Sequence, residues 1–287
     1  MSHTIGALYQ EGAASLAAAG IDEADHDARV LLAHVLDVRP NDVLLKAREP
    51  IEPLAEAIAW HLFGLRQTRM PLQYVTRTTY FYGLELRSDD RALIPRHETE
   101  QLVEAVVERL KDAAVAPGEC LADIGCGAGA IGLALAANLP DWHVVMTDIS
   151  PGAVELAQEN ARQVGLQGRA TLLQGSYLAP LGEAGLRSRV GVIVCNPPYV
   201  RPGEMPLVSP EVRAEPNVAV ESPATDGMDG YRVLADGIGD FPNLRLLAFE
   251  VGYAQEEKVA ALFTHLGRVE ILPDFLGIER VVIIHVG

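Results

Sequence analysis

The chain has 287 residues, of which 49% are hydrophobic and 22% charged, a composition typical of a globular protein with one large or two smaller domains. Its formal net charge of −16, from 23 basic and 39 acidic residues, repels a phosphate backbone and argues against a DNA or RNA substrate. The lack of a membrane-length apolar run, of a signal-peptide pattern and of a zinc or disulfide cysteine spacing predicts a cytoplasmic protein without a bound metal.

Residues 1–70 have the apolar periodicity of helices, and we expect them to form a small helical bundle. Two stripes recur at helical spacing: Ala28, Leu31, Leu32, Val35 and Leu36 in one, and Leu54, Ile58, Leu62 and Leu65 in the other. Both are expected to face the core, whereas the acidic residues of 22–27, including Asp27, are expected on a solvated face. This domain is where specificity for a partner is expected.

The segment 71–92 changes to residues that favour strands. The runs 71–75 and 80–86, the second of which contains Gly83, predict a β-hairpin linker. The remaining residues, 93–287, are predicted to form the second domain, which opens with an extended segment and a helix running to about Asp112. His97 lies at the entry to this helix, where a solvated or capping role is favoured over a catalytic one.

A glycine-rich turn follows the first predicted strand of this domain. The run from Leu121 to Ile124 leads into Gly125, Cys126, Gly127, Ala128 and Gly129, and then into a helix-like segment. Glycines are needed where the backbone turns tightly and where a ligand approaches the main chain. The next strand ends at Asp148, about 20 residues on, where a carboxylate can accept both hydroxyls of a ribose. For this motif by itself, a plain tight turn and a nicotinamide site are the alternatives.

A second motif follows the strand predicted over 190–195. Its sequence is Asn196, Pro197, Pro198 and Tyr199, and the proline pair stops the strand. This arrangement suits a planar NH2 group, whose two N–H donors would be accepted by the Asn196 side-chain oxygen and a backbone carbonyl. Tyr199 would provide a flat wall. An ordinary proline-rich strand exit is the alternative for this motif on its own.

Together the two motifs predict methyl transfer from S-adenosylmethionine to a nitrogen, because they combine a nucleoside site with an amino-group clamp. The segment 201–227 carries five prolines, and we interpret it as a lid over the site. Alternating helices and strands are predicted from Tyr231 to Val286.

Six motifs in order resemble one family. They are Pro71-Leu72-Gln73-Tyr74, Phe81-x-Gly83-Leu84, Ile94-Pro95-Arg96-x-Glu98-Thr99-Glu100, Asp123-x-Gly125-x-Gly127-x-Gly129, Asn196-Pro197-Pro198-Tyr199 and Asp226-Gly227-Met228-Asp229-Gly230-Tyr231-Arg232. Phe249-Glu250-Val251-Gly252 and a closing Leu276-Gly277-x-Glu279-Arg280 add to the set. The chain is thereby similar to the HemK/PrmC family, the protein-(glutamine-N5) methyltransferases of peptide-chain release factors.

The resemblance implies an α/β fold: a seven-stranded Rossmann-like class I methyltransferase sheet, a small N-terminal helical domain and a β-hairpin linker. It implies S-adenosyl-L-methionine bound by residues 125–129, Asp148, Tyr177 and Asn196. It also implies a glutamine clamp at residues 196–199, with Asn196, Pro197 and Tyr199 catalytic. The substrate implied is the glutamine of the Gly-Gly-Gln loop of a release factor, and we expect a monomer.

Several positions depart from the family pattern: Arg77, His97, Tyr177 and the segment 241–244, where a Gly-Gly turn is usual. None of them removes a residue of the clamp or of the cofactor site, and Arg77 lies in the hairpin, beside the region where the family docks its partner. Four alternatives remain open: a ribosomal-protein glutamine methyltransferase, a nucleic-acid amino-methyltransferase, a cofactor-binding protein without activity, and a nicotinamide oxidoreductase.

Overall fold

The computed structural model describes residues 3–274 and 276–287. Contacts between residues divide the chain into two compact units. The first contains the chain up to Arg77 together with Ser209–Ala214, and the second contains Thr78–Val208 and Glu215–Gly287.

The helices of the first unit are α1 (Ile5–Ala18), α2 (Ala24–Leu36), α3 (Pro40–Leu45), α4 (Pro53–Gln67) and α5 (Leu72–Thr76), and α10 (Pro210–Arg213) clusters with them. The helices of the second unit are α6 (Glu100–Leu110), α7 (Ala130–Asn138), α8 (Pro151–Gln163), α9 (Ala179–Glu183), α11 (Asn217–Val220), α12 (Asp229–Gly237) and α13 (Glu256–Phe263). Its strands are β1 (Thr78–Phe81), β2 (Leu84–Arg87), β3 (Cys120–Ile124), β4 (His143–Asp148), β5 (Ala170–Gln174), β6 (Val190–Cys195), β7 (Leu246–Glu250), β8 (Gly267–Pro273) and β9 (Glu279–Val286). Short 3-10 turns occupy His97–Thr99, Pro202–Leu207, Ile238–Asp240 and Thr264–Leu266.

The core of the first unit forms where α1, α2 and α4 pack together. Leu31 and Leu32 of α2 are fully buried, as the helical spacing predicts. Gly12 of α1 allows close approach to α4, because a Cβ built at this position would lie 2.4 Å from Phe63 Cζ. The close contact with Phe63 therefore requires glycine at position 12, although glycine has a low helix propensity.

The stripe predicted on α4 is wrong for its first two members. Leu54 is 73% exposed and Ile58 is 44% exposed, whereas Leu62 and Leu65 are partly buried and pack against the core. The residues that α4 buries are Ala59, Phe63 and Arg66. Arg66 is buried because its Nε donates to Asp27 Oδ2 at 2.7 Å.

Asp27 is correspondingly 4% exposed, so its predicted solvated position is also wrong. The same guanidinium reaches Glu211 Oε1 at 2.9 Å, and Arg69 Nη2 reaches Glu211 Oε2 at 2.8 Å. Buried charges are stabilised in this way because each is paired with an opposite charge that replaces its contacts with water.

The hairpin is shorter than predicted. Residues 72–76 form the helix α5, and only β1 and β2 pair, in antiparallel register with Phe81 opposite Leu84. Pro71 at the N-cap has no N–H to place in a strand ladder, which is consistent with a helix start.

A seven-stranded sheet organises the second unit, in the order β5-β4-β3-β6-β7-β9-β8. The strands from β5 to β7 run parallel, while β9 is antiparallel to both of its neighbours. This arrangement confirms the α/β class and the seven-stranded methyltransferase sheet expected from the sequence. The order reverses between β3 and β6, and ligands of open α/β sheets bind at the strand carboxyl ends near such a reversal.

The central strands are buried on both faces, as expected for a parallel sheet covered by helices. Successive residues of β3 alternate between two cores: Leu121 packs with the core that contains α6 and α7, and Ala122 packs with the core that contains α12 and α13. Every residue of β3 and β6 is buried. The largely apolar character of both strands, interrupted in β3 by Asp123, is what identified them in the sequence.

Among the described helices, none combines the length and apolarity that a membrane crossing requires. Within the same residues, His, Cys, Asp and Glu side chains form no group of three that could hold a metal ion.

Candidate active site

The glycine turn connects β3 to α7 through three left-handed residues. Gly125, Gly127 and Gly129 have φ angles of 71°, 53° and 84°, a region that a side chain disfavours. The Gly125 and Cys126 amides donate to the Thr147 carbonyl at 2.8 and 2.9 Å. The end of β4 therefore holds the turn in place.

Asp148 ends β4 and supports the same turn. Its Oδ2 accepts the Gly127 N–H at 2.8 Å, and its Oδ1 accepts the Ser150 N–H at 2.9 Å. Burial raises the pKa of Asp148, and the amide donors of Ser150 and Gly127 oppose that rise. A carboxylate oriented by two backbone amides retains lone pairs for hydroxyl groups of a ligand.

Asn196 follows β6 directly beside the glycine turn. The register of the two parallel strands pairs Ile124 with Cys195, so the residues that follow, Gly125 and Asn196, share one edge of the sheet. Asn196 Nδ2 donates to Thr99 Oγ1 at 3.4 Å. With its NH2 group directed at Thr99, the side chain retains Oδ1 as an acceptor.

Tyr199 is held from two sides. Its hydroxyl donates to Glu250 Oε1 at 3.1 Å, and its carbonyl accepts from Gln255 Nε2 at 3.3 Å. Burial, followed by the Glu250 charge, raises the pKa of the Tyr199 phenol. Gly252 is required beside the ring, because a Cβ there would lie 2.9 Å from Tyr199 Cδ2.

One cavity of about 380 Å³ brings most of the sequence-predicted site residues together. Seven of them line it: Gly125, Gly127, Asp148, Tyr177, Asn196, Pro197 and Pro198. Of the others, Cys126 and Ala128 are buried, Gly129 lies against Ala157, and Tyr199 is held by Glu250.

Tyr177 occupies the cavity wall in a left-handed conformation, with φ at 47°. Thr147 Oγ1 donates to its carbonyl at 3.2 Å. Burial raises the pKa of its phenol to about 12, so the ring carries no charge at neutral pH. A neutral aromatic face is suited to stack on a nucleobase.

The proline-rich segment after the motif is not irregular throughout, since it contains a 3-10 turn, α10 and α11. Pro216, Val218 and Glu221 from this segment line the cavity. Glu215 holds it in place, because its carboxylate accepts the Ile94 N–H at 2.8 Å and pairs with Arg96. Its function as a lid stays a prediction.

Sequence reasoning missed several residues of the cavity wall, among them Arg91 and Ile149. Arg91 forms ion pairs with Asp89 at 2.8 Å and Glu159 at 3.0 Å. Nothing in its local sequence marked it. Ile149 directly follows the carboxyl end of β4, the edge where ligands of open α/β sheets bind, and this position could have marked it.

The cavity fits a nucleoside cofactor on structural grounds. A Cβ built on Gly125 would meet no atom within 4 Å, so a side chain there would extend into the cavity that Gly125 lines. Backbone can therefore approach a ligand at this point. The Asp148 carboxylate and the Tyr177 ring supply a hydroxyl acceptor and an aromatic face in the same wall.

The sequence matches two family models, those of the PrmC N-terminal domain over residues 7–76 and of the methyltransferase small domain over residues 98–209. The release factor glutamine methyltransferase of Moorella thermoacetica is 39% identical over 94% of this chain and 94% of that protein. The protein of the same description from Cereibacter sphaeroides is also 39% identical, over 93% of each chain.

A solved structure has a similar fold. The N-terminal domain of human METTL16 in complex with SAH gives a TM-score of 0.51 at 16% identity, covering 88% of this chain and 93% of that one. At this level of identity the similarity concerns the fold alone.

Proposed function

This chain belongs to the family of release factor glutamine methyltransferases, and we propose that it transfers a methyl group from S-adenosylmethionine to the side-chain amide nitrogen of a release-factor glutamine. We place that glutamine in the Gly-Gly-Gln motif of the substrate. One observation carries the proposal: the glycine turn and the residues Asn196 and Pro197 line a single cavity. A methyl donor and an amide held there would be adjacent.

Residues on one side of the cavity would hold the cofactor, which supplies an electrophilic methyl group when bound. The backbone at Gly125 and Gly127 would approach it closely, and Asp148 would accept hydrogen bonds from ribose hydroxyls. Tyr177 would lie against the adenine ring. Each assignment is supported by the position of the residue in the cavity wall.

Asn196 and Pro197 would orient the substrate amide. A carboxamide nitrogen is a weak nucleophile, because its lone pair is delocalised into the carbonyl group. Asn196 Oδ1 and the Pro197 carbonyl would each accept one N–H, which directs the nitrogen lone pair toward the methyl group and stabilises the charge that develops on the N–H groups. As the new N–C bond forms, the bond between the methyl carbon and the cofactor sulfur would break, and the methylated amide would then lose one N–H proton to water. Orienting two reactants in this way contributes about 7–11 kcal/mol in model reactions.

A direct experiment measures the product. The protein is incubated with S-adenosylmethionine and a purified release factor, and the added methyl group is mapped by mass spectrometry. We expect one methyl group on the glutamine of the Gly-Gly-Gln motif and none when that glutamine is replaced by alanine. Methylation of the alanine variant, of a ribosomal protein in preference, or of a nucleic acid would contradict the proposed substrate.

The helical unit is proposed to recognise the substrate protein, and the domain boundaries 1–70, 71–92 and 93–287 stay predictions. The monomeric state and the cytoplasmic location also stay predictions. Size-exclusion chromatography with light scattering measures the oligomeric state.

A further inference from the structure

The side chain of Asn160 on α8 lies between the end of the hairpin and the glycine turn, and it is fully buried. Its Oδ1 accepts the Arg87 N–H at 2.7 Å. Its Nδ2 donates to the Arg87 carbonyl at 3.2 Å and to the Ala128 carbonyl at 2.9 Å. Because Arg87 ends β2 and Ala128 lies within the glycine turn, one carboxamide joins these two segments.

The partners of this carboxamide fix its orientation. The Arg87 N–H can only donate, and the two carbonyl oxygens can only accept. The Asn160 oxygen must therefore face the N–H, and its NH2 group must face the carbonyls. A flipped carboxamide would lose all three hydrogen bonds in a buried position, where unpaired polar groups are costly.

The contact with Ala128 fixes one peptide group of the glycine turn. The Ala128 carbonyl and the Gly129 N–H belong to the same planar group, and both of its ends are bonded. The Gly129 N–H donates to the Cys126 carbonyl at 2.8 Å, while the Ala128 carbonyl accepts from Asn160. Without that donor the carbonyl would be a buried, unpaired acceptor, and the peptide would gain by rotating toward water. Such a rotation would move the adjoining backbone of Gly127, which lines the cavity.

Two further contacts hold the hairpin against α8. Gln163 Nε2 donates to the Glu85 carbonyl at 2.9 Å, and Arg87 Nη1 pairs with Glu159 Oε2 at 3.3 Å. Asn160, which lies between these two residues on the same helix, extends the contact to the glycine turn. An opening of the hairpin end that releases Asn160 therefore also releases the turn.

We propose that Asn160 is a positioning residue for cofactor binding: it holds the glycine turn in its binding conformation and couples the turn to the end of the hairpin. The proposal rests on the cofactor assignment of the proposed function. Asn160 does not line the cavity formed by the described residues, so it acts through the Ala128 carbonyl. The coupling is reciprocal: cofactor bound at the turn stabilises the contact with Arg87 by the factor by which that contact favours binding.

Hydrogen exchange of the parent protein, followed by NMR, tests the coupling without a substitution. The Arg87 N–H is expected to exchange through an opening that releases Asn160 and disorders the turn. S-adenosylmethionine at about 100 times its Kd suppresses such an opening by up to about a hundredfold. We expect the cofactor to slow the exchange of the Arg87 N–H by at least about tenfold.

The matched control is the Tyr82 N–H of the same hairpin. It also donates to a helix side chain, Glu100 Oε1 at 2.8 Å, but this residue belongs to α6 and not to α8. Its exchange should slow by less than about threefold, because its opening leaves the glycine turn intact. A general stabilisation of the protein by the cofactor would slow the exchange of both N–H groups equally.

Asn160→Leu provides a second test, since it removes all three hydrogen bonds and keeps a branched side chain of similar size. We expect the Kd for S-adenosylmethionine, measured by calorimetric titration, to rise at least about fivefold. The kcat at saturating cofactor should stay within about threefold, because the clamp is unchanged. A purely structural role for Asn160 would lower the melting temperature and the binding stoichiometry and leave the Kd unchanged.

The control variant is Asn243→Leu. Asn243 Nδ2 also donates to a backbone carbonyl, that of Ser188 at 2.6 Å, but it lies near the amino end of β7, at the edge of the sheet opposite the cavity. Its replacement should leave the Kd within about twofold.

Two outcomes overturn the inference alone: an equal response of the Arg87 and Tyr82 N–H groups to the cofactor, or a parent-like Kd in Asn160→Leu. A parent protein that binds S-adenosylmethionine but transfers no methyl group would overturn the proposed function and leave this inference standing. A parent protein that does not bind S-adenosylmethionine would overturn both.

Discussion

The buried carboxyl group of Asp123 makes the stability of the protein depend on pH. It is fully buried in β3, its Oδ2 accepts the Gly132 N–H at 2.8 Å, and its Oδ1 has no hydrogen-bond partner in the described residues. Burial raises the pKa of Asp123 to about 7; the Gly132 amide opposes the rise and the Asp148 charge adds to it. The folded protein therefore favours the protonated acid below about pH 7, and Asp123→Asn replaces it with a side chain that does not ionise.

The size of the pH effect on the free energy of unfolding follows from proton linkage. In the unfolded chain the Asp123 pKa is near 3.8, below the folded value of about 7, so the folded state binds more protons between these limits. The contribution of Asp123 to stability is present below the unfolded pKa and is lost as pH rises through the folded pKa. The loss approaches about 1.4 kcal/mol per pH unit and amounts to about 3 kcal/mol between pH 5 and pH 8.

The assay is urea unfolding at several pH values, followed by tryptophan fluorescence in a Trp60→Phe background. Trp142 is then the only tryptophan, and it is buried in the sheet unit that contains Asp123. Between pH 5 and pH 8 we expect the parent to lose about 3 kcal/mol more of its free energy of unfolding than Asp123→Asn does. All other titrating groups are common to both proteins, and those that do not interact with Asp123, as Asp148 does, cancel in this difference.

The control for this comparison is Asp236→Asn, which removes an exposed carboxyl group on α12. The free energy of unfolding of this variant should change with pH in the same way as that of the parent. If the free energy of unfolding of Asp123→Asn changes between pH 5 and pH 8 by the same amount as that of the parent, to within about 1 kcal/mol, the inference that burial keeps Asp123 protonated is refuted.

Three further predictions concern single residues. Asn196→Ala should lower kcat by at least about a hundredfold with little change in the Kd for S-adenosylmethionine, and near-normal turnover would contradict the clamp assignment. Asp148→Asn should weaken cofactor binding about tenfold or more in a calorimetric titration, because a charged acceptor is lost; an unchanged Kd would place the ribose elsewhere. Gly132→Ala should lower the free energy of unfolding by about 1–3 kcal/mol, since its Cβ would lie 2.5 Å from Met146 Sδ, and an unchanged melting temperature would show that the core yields there.

The sheet unit could be predicted well because its signals are local. An apolar run followed by glycines, as at Gly125, or by prolines, as at Pro197, marks both a strand and its end in a few residues. The predicted strand ends at Asp148 and Cys195 agree with the observed β4 and β6. Since the carboxyl ends of parallel strands share one edge, the sequence alone is enough to place the two motifs at a common site.

The helical unit was harder, because its core depends on a distant charge pair. An arginine such as Arg66 is rarely buried, and the apolar stripe of α4 predicted a core face without it. The observed face includes Arg66, because Asp27 neutralises it from a helix 39 residues away in the sequence. No periodicity within α4 carries information about that partner.

The orientation of Asn196 shows the same limit within the active site. The four-residue motif predicts a carboxamide near the cofactor with its oxygen toward the substrate, but the motif contains no partner for the NH2 group at the other end. That partner is Thr99, whose Oγ1 accepts from Asn196 Nδ2 at 3.4 Å and which lies 97 residues away in the sequence. The orientation of the clamp therefore depends on the tertiary fold as well as on the motif.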